Sequence, residues 1–160
     1  MAKVKFPTTQ AVRQLKQHKV RYTPQLYAYE EKGGTRVSAR ELGVEEHAVI
    51  KTLVMEDEHQ SPLIILMHGD CEVSTKEMAR TLNVKRIAPC SPDIAHKHTG
   101  YQVGGTSPFG TLKPLPVYVE RTILDLPLIY INGGKRGFLV SLAPEVLVNV
   151  LQATPVEVAI

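Results

Sequence analysis

Two apolar segments lie close together near the middle of the chain: AVIKTLVME (residues 48–56) and PLIILMH (residues 62–68), joined by the polar DEHQS. β-branched and aliphatic side chains crowd both segments, and a short polar connection between them predicts a pair of adjacent antiparallel strands. A chain with such a pair must cover the faces of it, which favours a sheet with helices outside it. Further strand signals follow in KRIAPC, LPVYVE, LPLIYING, FLVSL and the terminal PVEVAI. Before the pair, VRYTPQLYAYE reads as a strand placed at an edge or interrupted by Pro24.

Helices are announced by their caps. TTQAVRQLKQHK has Thr8 or Thr9 before Val12 and Leu15 at helical spacing. SARELG and STKEMARTLN each carry a capping box, Ser38 with Glu41 and Ser74 with Glu77. SPDIAHKHTG offers Ser91 as cap, Pro92 in the first turn and Gly100 as stop, and APEVLVNVLQA starts at Pro144 with Leu147 and Leu151 on one face. Strands outnumber helices and do not alternate strictly with them. The expected class is therefore α/β or α+β, a mixed, curved, barrel-like sheet flanked by helices.

Composition narrows the setting. The 160 residues are 43% hydrophobic and 22% charged, with 19 Lys and Arg against 16 acidic residues, as in an ordinary globular chain that tolerates an anionic partner. No linker or repeat divides the chain, so one domain over residues 1–160 is expected. The N-terminus has no apolar core of signal-peptide length, and no apolar run is long enough for a bilayer. Cys71 and Cys90, widely separated and outside any CxxC, read as reduced thiols in a cytoplasmic protein.

Three places could carry chemistry. Lys51 stands among apolar neighbours on its strand, where an ammonium must reach an edge or line a polar cleft; an edge lysine that blunts aggregation is the plainer alternative. GYQVGGTSPFG (residues 100–110) is crowded with glycine, yet has no acid, His or Cys. It is either a tight structural turn or a loop whose N–H groups approach an anion, an ester carbonyl or a ribose-phosphate. It lacks P-loop spacing. GGKRG (residues 133–137) is either a solvated hairpin tip or a phosphate contact through Lys135 and Arg136. His96 and His98 have no third ligand at recognisable spacing, so no metal is expected. Tyr22, Tyr27 and Tyr29 read as strand packing.

Taken together, IKTL (residues 50–53), TGYQVGGTSPFG (residues 99–110) and INGGKRG (residues 131–137) resemble the YbaK/ProX-type aminoacyl-tRNA deacylases, and within them the freestanding Cys-tRNA(Pro) deacylases. The resemblance implies an editing enzyme for aminoacyl-tRNA, working without metal or organic cofactor and with prolyl-tRNA synthetase as partner. By motif, Lys51, Gly104 and Gly105 take catalytic places, while Tyr29, Thr52, Ser107, Pro108, Gly110, Lys135 and Arg136 take substrate-binding ones. In the chemistry proposed for the family the substrate's own thiol attacks its ester, so the protein needs no nucleophile. One departure stands out: Leu139 and Ser141 occupy positions that are usually acidic, within an L-D-I-E-L-like strand. This leaves open a deacylase for another small amino acid, such as Ala-tRNA(Pro), or a non-catalytic tRNA-binding or synthetase-accessory module.

Overall fold

The expected pairing of the two apolar segments lies at the centre of the molecule. In a computed structural model, which describes residues 4–160, β2 (Val49–Asp57) and β3 (Pro62–His68) run antiparallel, with Ile50 opposite His68 and Glu56 opposite Pro62. Residues 1–3, which open the expected domain, lie outside the described residues. Around the pair are β1 (Tyr22–Leu26), β4 (Ile87–Pro89), β5 (Val117–Glu120), β6 (Ile129–Lys135), β7 (Phe138–Leu142) and β8 (Thr154–Val156). They form an 8-stranded sheet in the order β1-β7-β6-β2-β3-β5-β8, with β4 also paired to β2. The sheet is mixed: β2–β6, β3–β5 and β5–β8 are parallel, and the remaining pairs are antiparallel. β1 stands at the end of the order, where Pro24 removes no ladder bond that a second neighbour would need.

The helices are α1 (Gln10–Gln17), α2 (Gly34–Leu42), α3 (Thr75–Leu82), α4 (Pro92–Thr99) and α5 (Glu145–Asn149). Thr9, Ser74 and Ser91 cap α1, α3 and α4, each hydroxyl accepting the backbone N–H three residues on. The capping box expected at Ser38 is not there. α2 starts four residues earlier, at Gly34, and Ser38 sits buried inside it, donating to the Thr35 carbonyl. A serine that bonds back into its own helix does not need to terminate it. The β6–β7 hairpin is also tighter than GGKRG suggested, because β6 continues to Lys135 through an irregularity after Asn132.

The main core joins α1 and α5 to the sheet through Leu15, Ile64, Leu66, Phe109, Ile131, Phe138 and Leu147. A second core gathers Met55, Ile65, Met67 and Met78 around α3. The third is small, with Leu139 packed on Ala39 and Val49.

Candidate active site

The sheet has an interior break. β3 occupies one edge of β2 from Ile50 to Glu56, while on the other edge β6 pairs with Val49 and Ile50 and β4 with Met55 to Asp57. The Cys90 N–H extends the β4 side by one bond, to the Val54 carbonyl. Lys51, Thr52 and Leu53 are left without a strand on that edge, and residues 51–54 are only half-buried within an otherwise central strand. A cleft of about 790 Å³ opens there, lined among others by Tyr29, Thr35, Cys90 and Arg136. This volume suits a small ligand.

Lys51 lines the cleft, and it is not a free edge cation. Its Nζ donates to the Cys71 carbonyl at 2.7 Å and lies 3.5 Å from Glu72 Oε1. Its side chain is 21% exposed, so water still reaches an ammonium with three N–H donors. The Thr52 hydroxyl, also in the cleft lining, is buried and has no hydrogen-bond partner. A buried hydroxyl left unpaired costs on the order of 1–3 kcal/mol, an expense commonly met by a ligand or water. Cys90 lines the cleft as well, and burial pushes its thiol up to about 11. A thiol so perturbed stays protonated at neutral pH and is a poor nucleophile.

The glycine-rich loop is pinned at both ends and in the middle. The Tyr101 hydroxyl donates to the Phe109 carbonyl at 2.6 Å, and the Gly110 N–H donates to Gln14 of α1 at 2.6 Å. From the β6–β7 hairpin, Asn132 Nδ2 donates to the Gly104 carbonyl and Arg136 Nε to the Val103 carbonyl. Arg136 also stands 5.3 Å from the ring centroid of Tyr29. Gly104, at φ 85°, lies under that ring; a Cβ there would come within 2.7 Å of the Tyr29 hydroxyl. Asn132 lies within INGGKRG, where the spacing assigns it no role. Its Oδ1 also accepts the Gly134 N–H, so one amide side chain joins hairpin and loop.

Of the residues expected at the site, Lys51, Thr52, Tyr29, Gly104 and Arg136 are gathered around the cleft. Lys135 lines a neighbouring groove with Phe6, Tyr29 and Arg136. Gly105 does not line the cleft: it lies against the backbone of Lys135 and Arg136, and its N–H is donated to the Gln102 carbonyl. Ser107 and Pro108 are buried, Ser107 accepting the Phe109 N–H, and Gly110 abuts Gln10 of α1. These positions shape the loop from behind. Leu139, at the departure from the family pattern, is both core and cleft wall.

The model of the aminoacyl-tRNA editing domain matches residues 30–150, a span holding β2, the loop and most of the cleft lining. The chain belongs to that family. The editing domain is 31% identical over 151 residues to EbsC of Enterococcus faecalis, named as a candidate Cys-tRNA(Pro)/Cys-tRNA(Cys) deacylase, covering 94% of this chain and 92% of that protein. It is 27% identical over 97 residues to a proline–tRNA ligase of Streptococcus equi subsp. zooepidemicus, 61% of this chain and 16% of the ligase. The fold is that of a crystal structure described as a candidate trans-editing enzyme for prolyl-tRNA synthetase, with a TM-score of 0.81 at 20% identity over 96% of this chain and 98% of that one. The mixed sheet with flanking helices expected from the strand count is therefore shared with it. No helix among the described residues is long and apolar enough to cross a membrane.

Proposed function

We propose that this editing domain acts in trans to remove cysteine from Cys-tRNA(Pro), with Cys-tRNA(Cys) as a second substrate, and that the substrate thiol is the nucleophile. The observation that carries this reading is the meeting, in one cleft, of a positioned ammonium at Lys51, an unpartnered hydroxyl at Thr52 and a thiol, Cys90, that stays protonated. In the step itself the substrate sulfur bonds to its own carbonyl carbon and the ester C–O bond breaks. The thiol proton ends on the ribose oxygen, giving free tRNA and a cyclic thiolactone. Lys51 stabilises the charge that develops along this path, a contribution that preorganised donors make most effectively in a partly dry site.

The Thr52 hydroxyl donates to the aminoacyl ester, and Tyr29 walls the terminal nucleoside beside Gly104. Lys135 and Arg136 meet acceptor-end phosphates, which position without specifying. Gly105, Ser107, Pro108 and Gly110 act indirectly by fixing the loop. Prolyl-tRNA synthetase is the partner that supplies mischarged tRNA, a link supported by the ligase match.

Leu139 in the cleft wall favours one second reading, a deacylase for another small amino acid such as alanine on tRNA(Pro). Single-turnover release from Cys-, Ser- and Ala-tRNA(Pro) separates the two. Cysteine should leave fastest and serine far more slowly, because a neutral hydroxyl is the weaker nucleophile. Equal rates for alanine and cysteine would reject the thiol mechanism, and Cys90→Ala should keep the Cys-tRNA rate within a few-fold.

A further inference from the structure

The turn that holds Lys51 has a second side. Gly69 and Glu72 line the cleft, while Asp70 and Cys71 between them meet His47, which lies in the short helical turn Glu46–Ala48 before β2. His47 Nδ1 is 2.8 Å from Asp70 Oδ1, Cys71 Sγ is 3.6 Å from the same oxygen, and all three ligand atoms lie within 4.8 Å of one another. The imidazole is oriented from beneath. His47 stacks on the buried His68 ring at 3.7 Å between centroids and 7° between planes. His68 is itself fixed at both nitrogens, by the His47 carbonyl and the Thr122 hydroxyl.

A plain surface ion pair between His47 and Asp70 would explain the first distance and would be worth little. It explains neither the thiol aimed at the same carboxylate nor the fixed ring. One nitrogen, one oxygen and one sulfur form a donor set that suits a borderline-soft cation, and bonds of about 2.0–2.3 Å place tetrahedral ligands roughly 3.3–3.8 Å apart. The S···O distance already falls in that range, and the N···O distance needs to open by about half an ångström. Restraint of a ligand ring by its surroundings is what supports such sites.

We propose that His47, Asp70 and Cys71 form a three-ligand site for a zinc-class divalent cation, with solvent in the fourth position. Binding replaces the His47–Asp70 hydrogen bond, shifts the His47 proton from Nδ1 to Nε2 through solvent, and releases the Cys71 thiol proton to water. The ion clamps the turn whose Cys71 carbonyl and Glu72 carboxylate hold Lys51, and so couples metal to the cleft.

Full-length reduced protein titrated with Co²⁺ tests this without reference to deacylation. One equivalent should produce a thiolate-to-cobalt absorption band, displaced by Zn²⁺, and equilibrium dialysis should find one Zn²⁺ per chain. Cys71→Ser should abolish the band, and His47→Gln should weaken binding at least tenfold with an unchanged melting temperature. Bound Zn²⁺ should slow alkylation of Cys71 and leave Cys90 unaffected. Absence of a thiolate band at one equivalent, or a band that survives Cys71→Ser, would overturn the site.

Discussion

Lys51 was legible as a residue that a strand would not place among apolar neighbours without reason. Its partners were not legible, because the Cys71 carbonyl and Glu72 come from a turn twenty residues away. Those partners sharpen the expectation for its replacement. Lys51→Met frees the carbonyl of Cys71, a half-buried residue, so the melting temperature should stay within a few degrees. Single-turnover deacylation should fall about a hundredfold or more if the ammonium stabilises developing charge. Lys51→Arg should restore little, since the broader guanidinium misplaces its charge. A Lys51→Met protein with full activity would remove the residue from the site. Gly104 gives a second test: its Cβ would strike the Tyr29 hydroxyl, so Gly104→Ala should impair deacylation strongly in wild type and much less in a Tyr29→Ala background. A double-mutant cycle over the two positions reads that coupling, and additive losses would refute it.

The capped helices α1, α3 and α4 and most strands could be read from local signals, since a hydroxyl cap and a two-residue alternation are properties of short segments. α2 was legible from Ser38 to its stop at Gly43 but not in its start, because Ser38 offers the same Ser-x-x-Glu spelling whether it caps a helix or bonds inside one. The glycine-rich loop was ambiguous for a related reason: spacing does not say which glycine faces a ligand and which faces a helix. Gly110 faces α1, at φ 64° and with its Cβ direction blocked by the Gln10 carbonyl. Gly110→Ala should therefore cost about 1–3 kcal/mol, which thermal unfolding would register as a fall of several degrees. The clasp across the same loop titrates. Burial pushes Tyr101 up to about 12, so its folded form holds the phenol proton more tightly than the unfolded chain does. That stability is fully present below about pH 10 and is lost as pH rises toward 12. Melting curves across that window should decline, and Tyr101→Phe should flatten the decline; an unchanged slope would show that the clasp carries no such linkage.

Across the whole molecule the charge excess is only +3, so nucleic-acid affinity has to come from a few placed cations. If Lys135 and Arg136 each meet a phosphate of a single-stranded end, a slope of roughly −1.4 in log affinity against log salt follows, about sevenfold for a fourfold rise in salt. Lys135→Ala should lower that slope by about 0.7, measured as the salt dependence of KM; a slope near zero would argue against phosphate contacts.

The break in β2 has a consequence for association. An unpaired strand edge invites pairing with another chain, and most sheets hide or charge such an edge. Here the open backbone runs for only Lys51 to Leu53, bounded by β6 at one end and β4 at the other. At about 3.3 Å per residue the opening is roughly 10 Å long, too short to seat an intruding strand and long enough for one aminoacyl group. The flanking strands confine an aggregation hazard to a gap of three residues.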